Sequence, residues 1–444
     1  MTFLSGGIVV KLFRPILLQE NQNLSSICLP PFRRSFSVTP GVEKSGCQKA
    51  MAHIQVKMVS VLIVAISLFL ACEPKVLRTE ETSHAATIET SPTPASSDLI
   101  TIAAVGDVML GSTSINDSFL PPNDGRDILK PMTPYLKDAD ITFGNLEGPM
   151  LEGGKSAKCA PPASPKPGQA PTPAGSPKPT GTPKPVGCFA FRVPTRYGKY
   201  LKEAGFDVMS LANNHAGDFG DYGRSSTRKV LDEQGIKYAG SDRTNFSTAY
   251  LEVKGKKIAV VGFAFNNIAP NLNDLATARQ LVMAAKKKAD IVVVSVHNGA
   301  EGEAAQHIPK VIEIFGGEKR GNVYEFAHTV IDAGADLVLG HGPHVMRAME
   351  IYKGRLIDYS MGNFCTYGMF SLNGPQSLSA VFQITIGLDG KFVGAKIVSA
   401  KQEGRGGPVP DPSGAVIKKI QSLSASDFPI TSPKIADDGT VSIN

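Results

Sequence analysis

The 444 residues exceed one average domain and fall short of three; with 42% hydrophobic and 19% charged residues they can bury a real core, which excludes a wholly disordered chain. Six cysteines in that length exclude a disulfide scaffold. The net charge of +6 is unevenly placed: residues 1–71 carry seven Lys/Arg against two Glu, and Gly153–Gly187 carries five lysines and no acid, so the remainder is mildly acidic and gives no support for a nucleic-acid-binding surface.

Met58–Ala71 is an uncharged apolar run of 14 residues. A bilayer span needs roughly 18–20, so the run fits the apolar region of a signal peptide better than a membrane helix. Phe69-Leu70-Ala71-Cys72 ends it in the manner of a bacterial lipoprotein cleavage box, with Leu70 where such boxes prefer a small residue. The expectation is export to the cell envelope, with residues 51–72 as the signal peptide and a lipid on Cys72 anchoring the chain to the membrane. Residues 1–50 then lie upstream of the true start, and residues 73–98, polar and Ser/Thr/Pro-bearing, form a disordered tether.

From Leu99 onwards apolar runs alternate with stretches of helical spacing. Strands are expected at Leu99–Val105, Ile141–Phe143, Val208–Leu211, Ile258–Phe263, Ile291–Val296, Leu337–Leu339 and Leu356–Tyr359. Helices are expected at Tyr197–Ala204, Arg224–Glu233, Asp274–Ala289 and Val323–Ala333. Ala380–Leu388 and Phe392–Ser399 flank an Asp-Gly turn and predict a hairpin. This order gives an α/β fold with mixed sheets over residues 99–402, followed by a C-terminal extension, 403–444. Gly153–Gly187 interrupts it with ten prolines, two Ser-Pro-Lys-Pro repeats and one Thr-Pro-Lys-Pro, a composition that favours extended backbone and builds no core. Cys159 and Cys188 bracket the insertion, either as a disulfide or as two unrelated thiols.

Polar motifs cap most of the strands. Asp107 follows the first, Glu147 the second, and Asn213-Asn214-His215, with Asp218 beyond, the third. His297-Asn298 follows Val296, His341-Gly342-Pro343-His344 follows Leu339, and Ser360-Met361-Gly362-Asn363 follows Tyr359. Ligands of α/β sheets bind outside the carboxyl ends of strands, so these caps converge. Singly, each has an ordinary structural reading: Asp107 as a turn residue, Asn213-Asn214-His215 as turn chemistry, His341 and His344 as loop histidines. His307 and His328 are read as surface residues, Glu301 as a loop anchor and Cys365 as a buried thiol. Together the caps make one mixed oxygen/nitrogen set whose chemistry suits one or two ions of Mn, Fe or Zn.

Ala104-Val105-Gly106-Asp107-Val108-Met109-Leu110, Gly144-Asn145-Leu146-Glu147-Gly148-Pro149 and Leu211-Ala212-Asn213-Asn214-His215 resemble motifs of the CapA family of poly-γ-glutamate capsule biosynthesis proteins. So do Phe191-Arg192-Val193-Pro194, Gly340-His341-Gly342-Pro343-His344-Val345 and Tyr359-Ser360-Met361-Gly362-Asn363-Phe364. The resemblance implies a calcineurin-like metallophosphoesterase fold, a β-sandwich of mixed sheets flanked by helices, with the metal site at the C-terminal ends of strands. It also implies Asp107 on a first metal, Glu147 as the bridging ligand, Asn214, His297 and His341 on a second, and His344 returning to the first. His215, oriented by Asp218, would contact phosphate or protonate the leaving group. Two positions depart: Met109 stands where metallophosphoesterases carry the His of Asp-x-His, and Asn298 where the family usually has Trp.

Two functions follow as expectations. One is a metal-dependent hydrolase or phosphoesterase in capsule or anionic-polymer synthesis or export. The other is a non-catalytic polymer-binding component of a membrane synthesis or export complex, favoured by Met109 and by Lys155, Lys158, Lys166, Lys178 and Lys184 of the insertion.

Overall fold

The computed structural model describes residues 98–159 and 189–444. Met58–Ala71, Cys72, residues 73–97, most of the Pro/Lys-rich insertion and Cys188 lie outside the described residues. Cys159 is half of a disulfide.

Strand β1 (Leu99–Met109) leads through α1 (Thr133–Leu136) to β2 (Ile141–Leu146). Beyond the insertion come α2 (Gly198–Ala204), β3 (Val208–Ser210), α3 (Gly220–Glu233) and β4 (Lys237–Ala239). A second run holds β5 (Thr248–Val253), β6 (Lys256–Ala264), α4 (Leu275–Lys286), β7 (Ile291–His297) and the hairpin β8 (Glu313–Phe315) and β9 (Glu318–Gly321). It continues with α5 (Val323–Asp332), β10 (Leu337–His341), β11 (Met349–Tyr352) and β12 (Arg355–Asp358). The chain ends with β13 (Asn363–Thr366), β14 (Leu378–Gly387), β15 (Phe392–Glu403), β16 (Gly407–Pro410), α6 (Ala415–Asp427), β17 (Lys434–Ile435) and β18 (Thr440–Ser442).

Two large sheets result. The larger has the order β17-β18-β15-β14-β1-β2-β3-β4, with β13 beside β1 and β16 beside β15; the smaller has the order β11-β12-β10-β7-β6-β5. Alternation along β1 explains the layering: Ile100, Ile102 and Ala104 point to the other sheet, and Ala103 and Val105 point away, under the α1 and α2 side chains. Ile258, Val260, Ile291, Val293, Leu337 and Leu339 close the inner layer from the smaller sheet. On that sheet's outer face Val261, Val292 and Val294 pack against Val282 of α4 and Phe326 and Val330 of α5. Strands buried on both faces read as continuous apolar runs, which is why they stand out in the sequence. The architecture is the expected sandwich of mixed sheets with helices outside.

The differences lie at element ends. β1, β2, β7 and β10 run on to Met109, Leu146, His297 and His341, so Asp107 and both of these histidines are strand residues rather than loop residues. Residues 403–444 also contribute to the sheet and the core: β16 and β18 pair with β15, and Val416, Ile417 and Ile420 of α6 lie in the inner layer. Their apolar spacing is diluted by Lys418, Lys419 and three serines, which hides the helix from periodicity. His328, read as a surface residue, is mostly covered: it lies 2.9 Å from buried Glu350 and stacks on Tyr352. His307 is the exposed partner of Asp427 at 2.7 Å.

Two predictions test this packing. Ile420→Ala removes a fully buried side chain between the sheets and should cost about 2–5 kcal/mol by urea denaturation; a loss well under 1 kcal/mol would mean that α6 contributes nothing to the core. Asp358 is buried at the end of β12, accepts a bond from the Ser360 N–H at 3.1 Å, and has its carboxyl pushed up to about 8 by burial. The folded chain therefore holds a proton that the unfolded chain releases near pH 4, so stability falls as pH rises from about 4 to 8, by up to ~1.4 kcal/mol per unit. Asp358→Asn should remove that fall between pH 5 and 8; parallel pH profiles for variant and wild type would refute the linkage.

Candidate metal centre

Strand register assembles the centre before any side chain is considered. β1 lies between β2 and β13, both parallel to it, and Asp107 stands opposite Asn145 on one side and Asn363 on the other. In the smaller sheet β7 and β10 are parallel neighbours, and His297 stands opposite His341. Close approach is needed where the sheets meet. A Cβ on Gly106 would strike the Gly362 carbonyl, and one on Gly340 the Tyr359 carbonyl, so only glycine fits either position.

The buried Asp107 carboxylate is held from two directions. One oxygen accepts from the Asn145 amide at 2.8 Å, and the other meets His344 Nδ1 at 2.8 Å. The Asn145 carbonyl accepts in turn from Asn213 at 3.1 Å, and the Asn213 amide also donates to the Leu146 carbonyl at 2.8 Å. His344 has φ +59°, a left-handed conformation that costs a non-glycine residue energy and persists here because both its neighbours fix the ring. Its Nδ1 also lies 3.1 Å from the Asn363 side-chain oxygen, and its Nε2 3.8 Å from Glu147 and 4.0 Å from Glu301.

His297 and His341 face each other with their Nδ1 atoms 3.0 Å apart, and His341 Nε2 lies 2.7 Å from Ser295 Oγ. Burial pushes the His341 imidazole down to about 4; it holds His297 well below the usual range too, with His341 adding to the effect. Both are neutral, as metal-ligating imidazoles must be. Burial acts against charge on His344 as well, but Glu147 and Asp107 outweigh it and raise that ring to about 10, so His344 holds a proton that a metal would have to displace to use it as a ligand. Glu147 is pushed well up, first by burial and then by Asp107.

The ligand atoms fall into two groups, each within 4.8 Å: Asp107, His297 and His341, and Asp107, Glu147 and His344. Asp107 is the shared member, whereas the resemblance implied Glu147 as the bridge. The reason is topological: Asp107 sits on the strand between two parallel neighbours, while Glu147 lies one residue past the end of β2. Both Glu147 oxygens, His297 Nε2 and the Asn214 side-chain oxygen are buried without hydrogen-bond partners. Such atoms cost free energy unless a cation takes them, so the residues fit a divalent metal held by oxygen and neutral nitrogen.

His215 and Asp218 form an adjoining pair. His215 Nδ1 lies 2.7 Å from Asp218, the ring stacks on Phe191 with centroids 4.0 Å apart, and Asp218 also accepts from the Phe191 N–H at 2.7 Å. Burial lowers the His215 pKa despite Asp218. Met109 is buried in the core beneath the helices. Asn298 has become a strand-end tie, its amide donating to the carbonyls of Val296, His341 and Tyr359 at 3.3 Å each. Glu301 does anchor a loop, through Arg320 at 2.8 Å, and is also a third carboxylate near His344. Asn145 and Asn363 lie in motifs visible in the sequence, but only strand pairing gives them their role; Ser295 carries no sequence signal of its own, and Lys158 stands out there only as one of five insertion lysines.

Fold and site together define a two-sheet sandwich with helices on both outer faces and buried Asp/Glu/His groups that could hold a metal. The family described as "Bacterial capsule synthesis protein PGA_cap" matches residues 101–367, and the chain belongs to that family. It is similar to the capsule biosynthesis protein CapA of Bacillus anthracis, 28% identical over 285 residues, covering 60% of this chain and 59% of the relative. It is also similar to the PGA biosynthesis protein CapA of Bacillus subtilis, 34% identical over 181 residues, covering 37% of this chain and 44% of the relative. The chain thus spans about half the length of these curated relatives. Among solved structures, a calcineurin-like phosphoesterase from Bacillus subtilis superposes loosely: TM-score 0.37, 12% identity, covering 73% of this chain and 96% of that one.

Asp107→Asn should remove metal from both groups, whereas a change confined to one, such as His297→Ala, should remove part of it. Elemental mass spectrometry of the purified protein checks this, and a full metal complement in Asp107→Asn would show that the carboxylate is not shared.

Proposed function

We propose that this protein is a metal-dependent hydrolase of the cell envelope that acts during synthesis or export of an anionic extracellular polymer of the poly-γ-glutamate kind, on the polymer or on a phosphoester met in its handling. The observation that carries the reading is Asp107, one buried carboxylate common to two ligand groups. Family membership and the names of the Bacillus relatives support the polymer. The metal would be Mn, Fe or Zn, in one or two ions, held by Asp107, Glu147, His297, His341 and His344, with Asn214 contributing its unpartnered oxygen. When bound, it supplies Lewis acidity toward an ester, amide or phosphoryl oxygen.

The chain's own residues supply proton transfer. Asp218 only accepts, so the neutral His215 ring carries its proton on Nδ1 and leaves Nε2 as an acceptor. Nε2 takes a proton from the attacking water as its oxygen bonds the scissile carbon or phosphorus, and passes it to the leaving oxygen or nitrogen as the old bond breaks. Phe191 fixes the ring plane, and Asp218, itself held by the Phe191 N–H, fixes its rotation. Lipid anchoring at Cys72 would keep this site at the membrane where the polymer emerges.

A second reading is favoured by Met109: with no imidazole at that position, the domain would hold polymer for a membrane complex without cleaving it. The two part on one experiment. Metal-loaded protein should cleave γ-linked glutamate oligomers or bis(p-nitrophenyl) phosphate, and His215→Ala should lower turnover about 10²–10⁴-fold with metal content unchanged. Undiminished turnover in the variant removes His215 from the mechanism, and inert loaded wild type leaves the polymer-holding reading.

A further inference from the structure

The two ends of the Pro/Lys-rich insertion meet at one residue of the candidate site. On the entering side, the Ala157 N–H donates to the Asp218 carbonyl at 2.8 Å, the Lys158 N–H at 3.3 Å and the Ser156 hydroxyl at 3.0 Å. Ser156 Oγ then accepts from the Cys159 N–H at 2.9 Å. On the returning side, the Phe191 N–H donates to the Asp218 carboxylate and the Phe191 ring stacks on His215. The insertion is therefore rooted on the His215–Asp218 pair rather than on remote surface.

That rooting sets one of its five lysines apart. Lys158 Nζ lies 3.4 Å from the buried Asp218 carboxylate and 3.4 Å from His215 Nδ1, with 37% of its side chain exposed. Both distances are long for an ammonium with three donors, and neither partner surrounds it. The Phe191 N–H and His215 both meet Asp218 Oδ2, while Oδ1 is buried without a hydrogen bond and faces Lys158 Nζ alone, so this lysine is held loosely to one carboxylate oxygen. The ammonium stands at the solvent edge of the proton-transfer pair, and its three donors exceed the two long contacts it makes there.

We infer that Lys158 is an anion-binding residue of the site: it takes a carboxylate or phosphate of the polymer next to the bond held at the metal centre, and so sets which unit of the chain faces His215. The inference rests on the proposed function for the polymer, but needs no catalysis. A repeating polyanion suits the arrangement because one anionic group can lie at the metal centre while a neighbour meets the lysine. Lys155, the other insertion lysine among the described residues, makes no such contact, so Lys158 is assigned a part separable from the net charge of the insertion.

The test is direct binding to the full-length, metal-loaded protein, read by fluorescence anisotropy with a labelled γ-linked glutamate oligomer and, separately, labelled polyphosphate. Lys158→Met keeps the backbone N–H and Ser156 bonds to Asp218 and removes the ammonium together with its 3.4 Å contact to Asp218 Oδ1. It should weaken binding of one probe about tenfold and flatten its dependence on salt, while Lys158→Arg stays within about threefold of wild type. The probe affected identifies the anion as carboxylate or phosphate. Unfolding midpoints within error of wild type separate lost contact from lost fold, and Lys155→Met should leave binding unchanged. Lys158→Met binding like wild type, Lys155→Met matching its loss, or wild type binding neither probe would overturn the inference. If Lys158→Met weakens binding while loaded wild type cleaves nothing, Lys158 stands and the hydrolase reading falls. If His215→Ala abolishes turnover and Lys158→Met changes nothing, the reverse holds.

Discussion

The contact between Asp107 and His344 is the constraint on which the rest of the centre depends. A carboxylate with no exposed surface must be compensated from within, and Asp107 receives an amide on one oxygen and an imidazole on the other. Each partner then imposes a requirement of its own. Asn145 must sit opposite Asp107, which fixes the parallel register of β1 and β2 and draws Asn213 in behind it. His344 must turn back from the end of β10, which demands a left-handed residue and a neighbour in Asn363. Asn363 begins β13, so this strand leaves the smaller sheet's sequence run and pairs with β1 of the larger one. One buried charge thus accounts for how the two sheets are joined at their functional edge.

A second buried charge braces the opposite side. Arg347 is fully buried, grips Glu313 through two nitrogens at 2.9 and 2.7 Å, and donates its Nε to the Ala305 carbonyl at 2.7 Å. Glu313 begins the β8–β9 hairpin, and its second oxygen also accepts from the Ala300 N–H at 3.0 Å. A paired, fully bonded ion of this kind contributes little net stability, but removing one partner strands the other. Its consequence is positional: it fixes the loop after His297 and the hairpin carrying Arg320, which holds Glu301 toward His344.

Much of this was legible in the sequence, and the reason is physical. Strands buried on both faces must be apolar throughout, so Ile258–Phe263 and Ile291–Val296 announce themselves, and the polar residues that end such runs stand out against them. That contrast exposed Asp107, Glu147, His215, His297, His341 and His344. Pairing was not legible, because it joins residues far apart in the chain: Asp107 and His344 are separated by 237 positions. Without pairing, Asp107 could not be recognised as the shared ligand, nor Asn145 and Asn363 as its supports. Short edge strands such as β4 and β16 were missed because they bury too little to leave a pattern, and α6 because serines and lysines occupy much of its length.

Charge at the centre links the two functional readings more closely than their difference over catalysis suggests. Asp107, Glu147 and Glu301 surround His344, and Arg320, the nearest guanidinium to Glu301, is also paired to Glu318. Without a metal, the raised His344 ring offsets part of this charge and burial favours the neutral form of Glu147, while His297 and His341, kept neutral by burial, add nothing. Lys158 adds a positive charge, but at the edge and beside Asp218. A divalent ion among these ligands would displace the His344 proton and add positive charge where the proposed polymer's carboxylates would lie. The same ion would serve either proposed reading, and what divides them is whether a proton moves at His215 once the polymer is in place.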